Sequence, residues 1–307
     1  CSPSDVEFVI SDNSDAPLDF HITNPACRVV RPNEVLNMTE NWNFVLLHSQ
    51  GKYITFLGDD DALIPSELDR LVATLANFDT DIVWHHRATY AWPDQGSSGN
   101  FYQELMLRDE RAPLDKQRAQ VLSLDYNVLP IPYHDALVHR RVLERFWRTK
   151  PNADFFGSRT PDYNAGAKIL WLAETQFDYK RTVFISGASP SSNGGLTWSN
   201  PQHPRAQEFT DLGRNPPPSW VPSIEMPIGF FWLHEAVEDA LLQLEVIHET
   251  NLRKLCYLSI NQSQNPRIQF YAAKQLWPDL VLIRYLALAM GLVKHRMGTL
   301  GVVTVLQ

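Results

Sequence analysis

Three adjacent carboxylates, Asp59, Asp60 and Asp61, follow a short apolar run, Tyr53 to Leu57, that reads as a buried strand ending at Gly58. Like charges packed side by side repel, so something positive should offset them, and a divalent cation is the simplest candidate. The run leads into Pro65 and an amphipathic helix from Ser66. An acidic turn between strand and helix is what a metal-and-phosphate site at the carboxyl end of a sheet strand requires. Two other places carry usable chemistry. Asp5 to Ser14 reads as a strand, Val6 to Ser11, running into a polar turn with Asp12 and Asn13. Such side chains can satisfy their own backbone. Asp162 falls in the first turn of a helix opened by Thr160 and Pro161. It can offset the positive end of the helix dipole.

The elements that must position these groups follow an alternating rhythm. The pattern predicts a short strand at Val29-Val30 and a helix from Met38 to Gln50, with Thr39 as N-cap and Gly51 as stop. A second helix is predicted over Ser66 to Ala76 and a strand over Asp81 to Trp84. Further on come a loop over Tyr90 to Gly99, a charged helical stretch over 103 to 125, a strand at Ala136 to His139 and a helix from Arg140 to Arg148. A strand at Val183 to Ser186 precedes a Gly- and Ser-rich loop, Gly187 to Trp198. That loop is either a surface linker or a mobile segment whose backbone donors can approach a ligand. Strand and helix alternating in this way predict an α/β fold with a mostly parallel sheet and helices on its faces.

Prolines at 216, 217, 218, 222 and 227 mark residues 214–229 as a linker. Beyond it, Phe230 to Thr250 carries Leu233, Val237, Leu241, Leu244 and Ile247 on one stripe with acids opposite, and 266–276 and 279–296 continue in helical fashion. The expected division is therefore a catalytic domain over 1–213, a linker over 214–229 and a helical extension over 230–307.

Composition narrows the class. With 307 residues, 44% hydrophobic and 20% charged, the chain can bury a sizeable core. A net charge of -8 argues against general nucleic-acid binding. Cys1, Cys27 and Cys256 are too few and too scattered for a disulfide framework, and a reducing, cytoplasmic compartment suits them. No run reaches the roughly 18 to 20 apolar residues that span a bilayer. The nearest, Leu280 to Val293, is interrupted by Arg284 and reads as a helix contacting protein or lying on the inner face of a membrane.

With Gly51 to Pro65, the turn at Asp12 and the Pro-Asp-Tyr at 161–163 in view, the chain resembles the family 2 glycosyltransferases, which have the nucleotide-sugar (GT-A) fold. The resemblance covers roughly residues 5 to 200. It implies a hexosyltransferase-like enzyme that moves a sugar from a nucleotide-diphosphate donor to a saccharide or lipid-linked acceptor, as in cell-envelope polysaccharide, by single displacement with inversion. It implies Mg2+ or Mn2+ at Asp60 with Asp61, and donor contacts from Asp12, Asn13, Asp59 and Asp60. Reading the trio as a plain Asp-x-Asp makes Asp59 and Asp61 the pair instead. Asp162 stands where the family carries its catalytic base. In many members an Arg precedes the residue matching Asn43, and here that position is Trp42. His203 and Arg205 lie where a diphosphate-covering residue can stand. The chain opens in mid-element, so the family's first strand and helix are expected to be missing from it. Rival readings are a nucleotidyltransferase of similar architecture, which would need a Gly-rich basic loop, and a non-catalytic protein that kept the fold. His85 and His86 read as packed rather than ligating.

Overall fold

A computed structural model describes residues 5–17, 19, 22–92, 100–102, 111–133, 135–189, 204, 230–251, 254, 255 and 258. The Pro-rich stretch, the end of the Gly/Ser-rich loop, His203, Arg205 and the helices expected at 266–276 and 279–296 lie outside these residues.

The chain enters through β1 (Phe8–Ser11), which pairs in parallel with β2 (Cys27–Val30) as a two-stranded sheet of its own. Helix α1 (Met38–His48) follows. Its N-cap is Asn37 rather than Thr39. The Asn37 side chain accepts from the Glu40 N–H at 3.0 Å, and the Glu40 carboxylate accepts from the Asn37 N–H at 3.1 Å. This reciprocal box satisfies two orphan donors, where Thr39 could serve one. Thr39 instead donates its hydroxyl to the Ser158 carbonyl at 2.7 Å. The helix stops short of Gln50 because the Ser49 N–H and hydroxyl both turn back to the Leu46 carbonyl.

Next come β3 (Tyr53–Ile54), β4 (Ala62–Leu63), α2 (Pro65–Leu75), β5 (Ile82–Ala91) and β6 (Asn100–Tyr102). They are followed by α3 (Leu114–Leu122), β7 (Ala136–His139), α4 (Arg140–Thr149), α5 (Pro161–Leu172), β8 (Gln176–Ala188) and α6 (Phe230–Gln243). The larger sheet has the order β3-β7-β5-β8-β4, with β6 added against the end of β5. The α/β class expected from the rhythm holds. Strand directions are more mixed than the rhythm suggested: β5 and β8 are parallel, while β3–β7, β7–β5, β4–β8 and β5–β6 are antiparallel. The strand expected through Leu57 is a two-residue ladder, after which Phe56 donates its N–H to the Pro132 carbonyl at 2.8 Å. Proline has no N–H to return, so the ladder cannot extend there.

Ile82, Val83 and Trp84 of β5 and Val183 and Phe184 of β8 are buried at the centre, as a doubly covered strand pair demands. On one side, Val142 and Phe146 of α4 and Ala165 and Ile169 of α5 close over the sheet; on the other, Leu71 of α2 does so. Helix α6 lies on α5 and shares a core with Val121, Tyr126 and Leu170. The stripe expected there is only partly correct. Val237 and Leu241 are buried, but Ile247 lies beyond the helix end and is 99% exposed, while Glu235 and Glu238 are buried. Polar groups around the helix make this tolerable. His248 and the Thr250 hydroxyl reach Glu238 at 2.7 and 2.8 Å, and Arg159 lies 3.7 Å from Glu235. Among the described residues no helix is long and apolar enough to cross a membrane.

Lys168, in the middle of α5, is fully buried and donates to the Phe155 carbonyl at 2.7 Å, over the Phe146 ring. Burial lowers its pKa from 10.5 to about 8, although Asp239 and Asp154 pull the other way. Between those two pH values the unfolded chain holds a proton that the folded chain does not, so stability rises with pH across that window. Lys168→Met should flatten that rise, a differential of about 3 kcal/mol. Urea midpoints of both proteins at pH 7.5 and 10 read it.

Candidate functional site

The acidic turn is fixed at both ends by backbone. Ile64 donates its N–H to the Val183 carbonyl at 2.9 Å, and β4 adds Ala62 and Leu63 to the edge of β8. Asp61 is the hub of the turn. Its carboxylate accepts the Gly58 N–H and the Gly187 N–H, each at 2.8 Å, and is hydrogen-bonded to the Tyr133 hydroxyl. Asp60 faces other partners: its carbonyl accepts from the Trp92 indole N–H at 3.1 Å, and its carboxylate accepts from Ser189. Burial, opposed by the Ser189 hydrogen bond and reinforced by the charges of Asp61 and Asp59, raises the Asp60 carboxyl above the usual range. Asp59 is exposed on the same turn.

Gly187 must be glycine for a reason the sequence did not reveal. A Cβ there would collide with the Asp60 carbonyl and sit 2.8 Å from the Trp92 indole nitrogen. At Gly187, the first residue of the Gly/Ser-rich loop, the close approach is to the acidic turn. Trp92 is 45% exposed, with Tyr90 edge-on against it at 5.3 Å.

Asp162 occupies the first turn of α5, as its sequence context predicted. The segment leading to it is pinned from two sides. Asn43 of α1 exchanges hydrogen bonds with the Phe156 backbone, both at 2.9 Å, and Asn164 accepts from the Gly157 N–H at 2.9 Å while donating to Asp239 of α6 at 2.8 Å. Through α6, residues far along the chain help to place the start of α5.

What joins Asp162 to the acidic turn is Tyr133, which sequence reading missed. Burial raises its phenol far above the ordinary tyrosine range, and Asp61, Asp60 and Asp162 all add to the shift. Asp162 thus lies within electrostatic reach of the side chain that bonds Asp61. No periodicity marks Tyr133; it sits in an irregular Pro-Ile-Pro-Tyr segment and becomes visible only through the Phe56 bond to Pro132. Trp42 stacks on Phe56 at 5.0 Å and leans on Tyr133 at 5.5 Å. The position where an Arg was expected thus supplies packing under the turn.

Asp12 and Asn13 lie apart, at the end of β1 in the smaller sheet. Asp12 is buried and paired with Arg31 at 2.7 Å, and it accepts from the Ser14 hydroxyl and N–H. Asn13 uses its amide oxygen and nitrogen on the Leu36 backbone, at 2.9 and 2.8 Å, which orders the approach to α1. The link to the acidic turn runs through α1: Ser11 donates to Asn41 at 2.6 Å, next to Trp42. His85 is buried and stacked on Phe184 at 6.0 Å, in keeping with a packed histidine. Among the described residues no three His, Cys, Asp or Glu side chains are arranged to hold a metal by themselves. The donor set still suits a hard cation. Mg2+ takes one or two carboxylates and completes its shell with phosphate and water, and Asp60 with the exposed Asp59 beside it offers two such carboxylates on one turn.

Residues 4–147 match the model of glycosyl transferase family 2. Among solved structures, the chain is similar to Staphylococcus aureus TarS 1–349 in complex with UDP-GlcNAc, with 11% identity, a TM-score of 0.50, and coverage of 96% of this chain and 82% of that one. A structure of S. aureus TarS aligns with 12% identity and a TM-score of 0.47 over 91% of this chain and 49% of that one. No curated protein sequence matches the chain. At such identities the likeness to TarS concerns the fold.

Proposed function

We propose that this chain, a glycosyltransferase whose residues 4–147 belong to glycosyl transferase family 2, transfers a sugar from a nucleoside-diphosphate donor to an acceptor hydroxyl with inversion. The observation that carries the reading is the family match over residues 4–147, which contains an acidic turn held against the sheet by Gly187 and Ile64. Transfer needs a place for the leaving diphosphate and, within one sugar's reach, a base for the incoming hydroxyl.

In this reading Asp60 and the exposed Asp59 hold Mg2+ or Mn2+, because Asp61 already carries two backbone N–H groups and Tyr133. Bound there, the cation would supply Lewis-acid neutralisation of the departing diphosphate. Asp12, paired with Arg31, accepts the imide N–H of the donor base. Asn13 keeps that turn in shape through Leu36. Asp162 takes the acceptor proton as the oxygen attacks the anomeric carbon. A saccharide or lipid-linked acceptor and a site of action at the inner face of a membrane belong to the same proposal.

The test is a donor screen with UDP-, GDP- and dTDP-sugars, with and without Mn2+, starting with UDP-GlcNAc. One donor should raise the melting temperature by several degrees, since ligand at about 100 times its Kd adds about 2.7 kcal/mol, and should release its nucleoside diphosphate. Release of pyrophosphate would mean nucleotidyl transfer. Absence of binding by every donor would overturn the reading.

A further inference from the structure

Tyr133 has no part in the roles assigned above, yet it adjoins both halves of the site. Its hydroxyl stands directly over Gly58, where a Cβ would collide with it, and it is hydrogen-bonded to Asp61. Asp60 and Asp162 lie close enough to act on it electrostatically. Its ring is wedged. Trp42 leans on it at 5.5 Å, Phe56 stacks on Trp42, and Phe156 meets Trp42 and Phe56 edge-on at 5.2 and 4.9 Å. The backbone one residue earlier is fixed as well, because the Thr55 hydroxyl and the Phe56 N–H both donate to the Pro132 carbonyl.

We propose that Tyr133 is a positioning residue for the donor end of the site: its hydroxyl donates to Asp61 and so sets the turn presenting Asp60, while the aromatic cluster around its ring ties that turn to the Phe156 segment that leads to Asp162. The inference rests on the reading given under Proposed function. The physical need is specific. A cation side chain in its place would pair with the Asp60 and Asp61 carboxylates and compete with the metal. A neutral O–H does neither. It gives Asp61 a third donor besides the N–H groups of Gly58 and Gly187, and a carboxylate has lone pairs for all three. Phe156, part of the wedge, also accepts and donates the Asn43 bonds that lead towards Asp162. The aromatic cluster therefore fixes both the turn and the base in one body.

Tyr133→Phe removes the hydroxyl and keeps the ring. The melting temperature should stay within about 2 °C of wild type, as a ring that keeps its packing predicts. The Kd for UDP with Mn2+, measured by calorimetry beside GDP and dTDP, should weaken about tenfold, which is one lost hydrogen bond to a charged group. The donor KM should rise by a similar factor, with a smaller change in kcat. Gly58→Ala, whose Cβ would meet the Tyr133 hydroxyl and also crowd the Asp61 and Asp60 carboxylates at 3.0 and 3.1 Å, should weaken donor binding at least as much. Unchanged diphosphate affinity and donor KM in Tyr133→Phe would overturn the proposal. So would a fall in melting temperature beyond about 5 °C that accounts for the lost binding, since Tyr133 would then be a packing residue. If wild-type protein binds none of the three diphosphates, the reading of the site itself fails and this inference goes with it.

Discussion

Asp162→Asn is expected to lower kcat by about 10²- to 10⁴-fold, the range that a positioned general base contributes, while leaving the Kd for the nucleoside diphosphate within about twofold of wild type. The substitution is isosteric. It keeps a side-chain oxygen at the positive end of α5 and costs the helix about 0.3 to 1 kcal/mol through the lost charge. The segment before it stays in place, because Asn43 and Asn164 hold Phe156 and Gly157 without help from Asp162. A loss confined to kcat is therefore a loss of chemistry. Asp60→Asn should show the opposite pattern, with weakened Mn2+-dependent binding of the diphosphate. Steady-state kinetics paired with calorimetry on both variants reads the split. A kcat within threefold of wild type in Asp162→Asn would remove it from the role of base and leave it as a helix-dipole residue.

Much of this arrangement can be read along the chain, and the reason is local. The acidic turn announces itself because a short apolar run meets three carboxylates within a few residues, and α5 announces itself through Thr160-Pro161. What cannot be read is whatever depends on residues far apart in sequence. Tyr133 reaches Asp61 across a pairing of Phe56 with Pro132, and nothing in an irregular segment just after two prolines advertises that contact. Gly187 looks like a ligand-facing glycine until the Asp60 carbonyl is found against it. Asp61 looks interchangeable with its neighbours until its partners on Gly58 and Gly187 single it out as the residue that shapes the turn. Strand directions failed for a similar reason. Alternation of strand and helix reports crossovers, whereas β3, β4 and β7 join the sheet as short ladders whose direction is set by partners brought from elsewhere. The buried acids of α6 show a further limit: amphipathicity assumes that charge seeks water, and His248, Thr250 and Arg159 remove that need.

The largest effect on stability should come from the end of the sheet opposite the site. Asp81 is fully buried just before β5. It accepts from Arg141 and, at 2.7 Å each, from Arg145 and the Glu174 N–H. Burial pushes its carboxyl up, but the bonds from Arg145, the Glu174 N–H and Arg141 outweigh that, and the net shift is downward. Removing one member of such a group typically costs about 3 to 5 kcal/mol. Arg141 and Arg145 keep outside partners in Asp79 and Glu174, so Asp81→Ala should cost about 3 kcal/mol, the lower end of that range. Against a total stability of about 5 to 15 kcal/mol, this is a large fraction, read as a fall in the urea midpoint at unchanged slope. The pH dependence checks the cause. A carboxyl whose folded pKa is depressed contributes stability that is fully present above the unfolded value, about 3.9, and is lost as pH falls through the folded value. The gap between wild type and Asp81→Asn should therefore be full at pH 7 and close below pH 4. A gap that persists in acid would mean that packing, rather than charge, holds this end together. The same carboxylate joins β5, α4 and the turn between α5 and β8. The far ends of β5, α5 and β8 carry Trp92, Asp162 and Gly187, so whatever loosens Asp81 should also loosen the acidic turn and the base some distance away.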